Sequence, residues 1–211
     1  MMRIPIVALV LLTAFLSFQI KSSEFFLLAI VLLALIFLVV TGVIRSFKRV
    51  NSKYLKIPFF VIAISLFGIF VSLFRPYGEA VKYSGFPAEQ LEHAYKTDQK
   101  DRWQLRSYID IFSKLKERDS LRLQQVKDIL GRKDMLKSLD KFHAAFVLHH
   151  SRESEDYRLA ASLAGAAAED PALKDVYEVQ WLKKAAYDRW KVSIGEPEEH
   201  NSQNHFSFDV K

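Results

Sequence analysis

Acidic and basic residues interrupt this sequence at positions where a helix would turn apolar side chains inward. The series Leu91, Tyr95, Asp98, Arg102, Leu105, Ile109 advances in steps of three and four residues and sets an acid and a base in the middle of an apolar stripe. Phe112, Leu115, Asp119, Arg122, Val126, Ile129 repeats the pattern, and Asp188 follows Tyr177, Trp181 and Ala185 into a stripe that continues at Val192. Removing one partner of a buried ion pair costs roughly 3–5 kcal/mol, so such groups must be paired, hydrated in a cleft, or both. Two readings follow. Internal salt bridges would fix helix register. Alternatively Asp98, Arg102, Asp119, Arg122 and Asp188 converge with His143 or His150 on one polar pocket, with Gln203 further along the chain as an additional candidate. In such a pocket Asp119 or Asp188 would serve as general base, and Arg102 or Arg122 would hold an anionic group.

No metal or cofactor is expected. His143 and His150 share a helix face but stand roughly 10 Å apart at the rise of an α-helix, too far to hold one ion, and His149 points about 100° away from His150. The chain has no cysteine, which excludes disulfides, thiolate zinc sites and a cysteine nucleophile. The spacings H-E-x-x-H, G-x-S-x-G, G-x-x-x-x-G-K-[ST] and G-x-G-x-x-G do not occur.

The elements that must position these residues read as helices throughout. Pro76, Gly78 and Gly85 mark residues 75–86 as a linker, and Pro87 opens a helical domain over residues 87–195. Its first helix is expected to run on to Ile109 and its second from Ile111 to Leu130, with Gly131 as the stop. A third, near 138–150, is apolar on nearly every side and so enclosed. A fourth, near 154–169, starts with Glu155 and Asp156, and a fifth, near 173–194, turns Tyr177, Trp181, Ala185 and Val192 inward. Residues 196–211 form a polar tail without regular structure.

Ahead of this domain stand three uncharged apolar runs, at 4–20, 25–44 and 57–74, each near the length that crosses roughly 30 Å of hydrocarbon. The expected fold is therefore all-α: three transmembrane helices in residues 1–74, then one extramembrane bundle of about five helices. Of 30 Lys and Arg and 24 Asp and Glu, residues 1–74 hold seven bases and one acid, Glu24, leaving 23 of each sign beyond them. The net charge of +6 is thus a topology signal, and nucleic acid is not an expected partner. Arg45, Lys48, Arg49, Lys53 and Lys56 crowd the loop between the second and third runs, which puts that loop in the cytoplasm and delivers the C-terminal domain to the periplasmic or extracellular side. Met1, Met2 and Arg3 also open a signal peptide acceptably, but Phe15, Leu16 and Phe18 crowd any cleavage site, so the first run is expected to be retained. No span carries an ionisable residue, which argues against an ion-coupled carrier. Ser65, Gly68 and Ser72 offer the third run a small-residue face for packing inside the anchor.

The domain resembles an uncharacterised bacterial family, domain-of-unknown-function family 6624, over about residues 90–203. The elements carrying the likeness are Asp98-Gln99 with Arg102, Asp119 with Arg122, Ala144-Ala145-Phe146-Val147-Leu148-His149-His150, Asp188-Arg189, and a segment from Gly195 to Gln203. Against the family pattern His149 and Glu198 each replace a glutamine, and His200-Asn201 replaces an aromatic–glycine pair. The resemblance implies a helical domain and the same polar positions, and it names no reaction. The expected role is a binding or interaction module fixed in the cytoplasmic membrane, with the lipid bilayer and an envelope protein or polymer as partners. The alternatives are a hydrolase-like enzyme using the Asp/Arg/His cluster and a structural envelope anchor.

Overall fold

The computed structural model describes residues 3–48, 51, 53–132 and 136–203. Among them the chain forms eight α-helices and one 3-10 turn, with no strand. Met1, Met2, Arg49 of the basic loop and residues 204–211 of the tail lie outside the described residues. Two compact units result, one made of Met1–Tyr77 with Asp101–Lys114, the other of Gly78–Lys100 with Leu115–Lys211.

In the first unit the apolar runs are helices α1 (Arg3–Gln19), α2 (Ser23–Phe47) and α3 (Lys53–Leu73). Two of them, α2 and α3, are long and apolar enough to cross a membrane, rather than the three expected. α1 has 17 residues and is about 26 Å long. It falls short because the chain turns after Gln19 and passes through Ser22 in the left-handed region, at φ 64°, before α2 begins. Only 17% of the most apolar stretch of α2 and 28% of that of α3 is buried, so these are not core helices of a water-soluble fold. Phe26, Leu33, Val39 and Phe59 all point outward.

α3 packs on both α1 and α2. Gly68 makes this possible: a Cβ there would stand 2.8 Å from Ser17 Oγ and 2.9 Å from both Leu27 Cδ1 and Thr13 Cγ2. Ser65 and Ser72 flank it, both buried, and Ser72 donates its hydroxyl proton to the Ile69 carbonyl. Small residues thus let the helix backbones approach closely.

Buried charge closes the head of this unit. Arg75 donates to the Phe18 and Ile20 carbonyls at 3.0 and 2.8 Å, and also to the Ser17 carbonyl, satisfying the orphan acceptors that end α1. It also pairs with Glu24 at 3.4 Å, both side chains being buried, and the second Glu24 oxygen accepts the Leu105 amide at 3.1 Å. The chain over Asp101–Lys114 is drawn in by these contacts. It is a 3-10 turn at Leu105–Tyr108 between non-helical stretches, and not the continuous helix expected up to Ile109 and again from Ile111.

The second unit holds α4 (Pro87–Arg102, whose last two residues belong to the first unit), α5 (Leu115–Gly131), α6 (Ser138–Leu148), α7 (Ser154–Ala168) and α8 (Tyr177–Ser193). α6 is the enclosed helix, with every residue from Phe142 to Leu148 buried. Ala160, Ala164 and Ala167 let α7 approach both α6 and α8. The phase of α8 departs from expectation. Val179, Leu182, Ala185 and Ala186 face the core, whereas Tyr177 and Val192 are exposed at 76% and 50%, because the alanine-lined wall of α7 admits small and aliphatic side chains more closely than rings. The linker portion 78–85 is bound to the helices by side chains: Arg118, Thr97 and Gln125 donate to the carbonyls of Gly78, Ala80 and Lys82. That supplies partners for an extended backbone with no neighbouring strand.

Replacing Gly68 by leucine is expected to force α3 off α1 and destabilise the anchor by about 1–3 kcal/mol. Thermal unfolding of the whole chain in detergent micelles measures this, and an unshifted midpoint would contradict the close packing.

Candidate functional site

Arg122, on the inner face of α5, has no solvent exposure at all. Its guanidinium donates to Asp119 Oδ1 at 2.8 Å, one helical turn back, and through Nε to Thr97 Oγ1 on α4 at 3.1 Å. Asp98 Oδ1 stands 3.9 Å from the same Nη1. Thr97 in turn donates to the Ala80 carbonyl at 2.8 Å, so one buried cation ties the linker portion, α4 and α5 together.

The network ends at an imidazole. Asp98 Oδ2 lies 3.0 Å from His150 Nδ1, in the turn after α6, and also accepts from Gln99 Nε2 at 2.8 Å. Asp98 is buried, at 1% exposure, while the His150 side chain is 19% exposed and its Nδ1 is buried. His150 lines a cleft of about 360 Å³ in the second unit.

Asp119, 16% exposed in its side chain, shares the cleft wall with His150. The remaining charged wall is Lys116, Lys127, Arg152, Glu153 and Asp156. Lys127 is neutralised by Asp156 at 2.8 Å, and the Ser151 hydroxyl donates to the same carboxylate. Lys116 and Arg152 are exposed and join no ion pair among the described residues, leaving two cations at the rim against one acid, Glu153.

Of the eight positions singled out by sequence, Asp98, Asp119, Arg122 and His150 come together here. Arg102 closes α4 within the other unit, half-buried, its carbonyl accepting from the Tyr108 hydroxyl. His143 belongs to an aromatic cluster, stacked on Tyr95 with ring centroids 4.9 Å apart and touching Phe142. Burial holds its pKa below the ordinary value despite the opposing pull of Glu92 and Asp140. His149 is buried against Trp181, and its carbonyl accepts from Arg189 at 2.7 Å.

Asp188 and Gln203 form a second polar cluster. The fully buried Asp188 carboxylate accepts the amides of Glu199, His200 and Ser202 at 2.9–3.1 Å and the Ser202 hydroxyl at 2.7 Å. Burial raises its pKa, but these bonds outweigh it and leave the group below the usual carboxylate range. Gln203 reaches the Ala185 carbonyl at 3.1 Å and accepts from Arg189. The segment after α8 thus lacks helix or strand but is held at several points. Asn201 takes φ 55°, a left-handed conformation that asparagine tolerates better than most residues.

Sequence reasoning passed over Thr97, Lys116, Lys127, Ser151, Arg152 and Asp156. Only Asp156 carried a signal, as an acid in the first turn of α7, and that signal concerned the helix end rather than a cleft. Among the described residues no group of three or more His, Asp or Glu is placed to hold a metal. No family model, curated protein or solved structure matches this chain.

Exchanging Arg122 for methionine keeps much of the volume but removes the cation that faces Asp98 and Asp119, and should destabilise the helical unit by about 3–5 kcal/mol. Denaturant unfolding of the full chain in micelles reads this; a loss below about 1 kcal/mol, the value of an exposed pair, would show the network to be solvated. For Asp188 the depressed pKa stabilises the fold above the ordinary aspartate value and is lost as pH falls below it. Amide exchange at Glu199, His200 and Ser202 should therefore accelerate in acid in the native chain, whereas Asp188→Asn should exchange fast at every pH.

Proposed function

We propose that this chain is a membrane-anchored binding module whose helical unit takes an acidic segment of an envelope protein or polymer in the cleft between Asp119, His150 and Arg152. α2 and α3 serve as the anchor, and the basic loop joining them, kept in the cytoplasm, sends the helical unit to the periplasmic or extracellular side. The resemblance to domain-of-unknown-function family 6624 belongs to the same reading.

The observation that carries it is the pairing state of the cleft. Lys127 and Asp156 neutralise each other, and Asp119 is held by Arg122 from behind. Lys116 and Arg152 remain at the rim, exposed and outside any ion pair among the described residues. Anionic groups entering the cleft meet cations that need not abandon existing partners, so little is lost on binding. An open, polar cleft of about 360 Å³ suits a short stretch of an extended chain better than a sealed apolar ligand.

A second reading, a hydrolase-like enzyme, is favoured by the Asp98–His150 geometry. The Asp98 carboxylate stands 3.0 Å from Nδ1 without hydrogen-bond geometry, and a small turn of the ring would let it hold a proton there and leave Nε2 to move another. Arg122 and Asp188 take no direct part in this version. Arg122 has no exposed surface, and the Asp188 carboxylate is occupied by residues 199–202. His150 takes the place of Asp119 or Asp188 as the general base, and Lys116 or Arg152 that of Arg102 or Arg122 at the anionic group.

Titrating the full chain in nanodiscs with an oligoglutamate peptide and with an anionic envelope polymer separates the readings. Binding should weaken with added salt and fall roughly tenfold in the Lys116→Ala/Arg152→Ala double variant, equivalent to about 1.4 kcal/mol. His150→Gln should bind as the parent does if the role is binding alone, and should bind but lose product formation if the site is catalytic. Affinity unchanged by the double variant would remove the cleft from consideration.

A further inference from the structure

The segment Asp101–Lys114 has its polarity turned inside out. Its polar and charged side chains Asp101, Gln104, Arg106 and Ser107 are buried, at 3–5% exposure, while Trp103, Tyr108 and Ile111 are exposed at 65%, 64% and 85%. A turn bathed in water would do the reverse, since burying an arginine costs solvation and exposing a tryptophan gains nothing. The buried Arg106 is partly answered, its Nε having no hydrogen-bond partner among the described residues. Arg106 lies 3.5 Å over the centre of the Tyr77 ring and donates to Gln104 Oε1 at 2.6 Å.

The depth of this segment is set by its attachments. Ser22, between α1 and α2, donates to the Trp103 carbonyl at 2.6 Å, and Glu24 in the first turn of α2 accepts the Leu105 amide. Phe74, just past the end of α3, meets Phe112 edge to face at 5.4 Å. All three attachments are at the ends of apolar helices, on the side where α3 ends. We infer that Asp101–Lys114 is an interfacial membrane element, seating Trp103, Tyr108 and Ile111 among the headgroups of the bilayer that α2 and α3 cross.

Lipid is the occupant these observations select. Trp and Tyr combine an apolar ring with a polar tip and are enriched at the level where hydrocarbon meets headgroups. The patch is continuous with the outward apolar surface of the anchor through Phe74, itself 57% exposed, whereas Asp110 and Lys114 supply charges suited to the headgroup layer. The element would also compensate for the shortness of α1 by thickening the apolar edge of the unit at its head.

This rests on reading α2 and α3 as membrane spans, so the experiment carries a probe for each claim. The chain has no cysteine, and single cysteines can be introduced without removing any. Ile111→Cys, Tyr108→Cys, Phe37→Cys in the middle of α2 and Arg158→Cys on α7 are each spin-labelled in vesicles of phosphatidylethanolamine and phosphatidylglycerol. Accessibility to oxygen and to a nickel complex is then read. Labels at Ile111 and Tyr108 should show an oxygen-to-nickel ratio several-fold above that at Arg158 and below that at Phe37. Ratios at both positions equal to that at Arg158, with Phe37 remaining oxygen-rich, would overturn the interfacial element alone. A water-like ratio at Phe37 would overturn the spans, and the interfacial element with them. Two separate positions in the segment guard against one label disturbing the fold.

Discussion

A guanidinium sealed from water must be answered by its surroundings, and the answer given to Arg122 organises the helical unit. Asp119 answers it from the same helix, Thr97 and Asp98 from α4. Each of those groups has a second partner: Thr97 binds the Ala80 carbonyl, and Asp98 faces His150. A shift of α5 along α4 by one residue would leave a buried cation facing apolar side chains, at a cost no aliphatic packing recovers. Register is therefore specified by charge in a bundle whose alanine-rich walls would otherwise tolerate sliding. The same network reaches the cleft wall at Asp119 and His150. Structure and candidate chemistry are thus two ends of one chain of contacts.

The anchor unit solves the opposite problem. Most of its outward side chains are apolar, and three of its charges, Glu24, Arg75 and Arg106, are buried. Arg75 does what a C-terminal cap does, but with a side chain brought from just beyond α3, donating to carbonyls at the end of α1. Gly68 and the serines beside it then allow α3 to lie against α1. The first unit thus leaves apolar side chains outward on α2 and α3, whereas the second gathers them inside.

Much of the fold was legible because period and composition report directly on burial. The enclosed nature of α6, the stop at Gly131 and the start at Pro87 all follow from local chemistry. What failed, failed where long-range contacts overrule local pattern. The stripe through Arg102, Leu105 and Ile109 is a faultless helical series, yet the chain leaves helix at Arg102 because Glu24 and Ser22 bind the backbone at Leu105 and Trp103. Those partners lie 81 residues away and leave no periodic trace. The inward phase of α8 was misjudged for a related reason. Large rings look like core residues, but the neighbouring helix face is alanine and admits Val179 and Leu182 more closely than Tyr177 or Trp181.

The candidate site divides along the same line. Asp98, Asp119 and Arg122 were recoverable because a charge in an apolar stripe is improbable unless a partner waits inside. Asp188 satisfies the identical criterion but to a different end, since its partners are backbone amides of residues 199–202 rather than an arginine. A stripe interruption shows that a charge is buried and paired, and it is silent on whether the partner is a side chain, a loop or a ligand. What separates the two acids is their access to solvent. The Asp98 network includes a half-open imidazole on a cleft, whereas the Asp188 carboxylate has every lone pair engaged and no exposed surface. Only the first arrangement leaves an atom able to meet something new, which is why the functional reading rests on His150 and the rim of the cleft, with Asp188 left to hold the chain that follows α8.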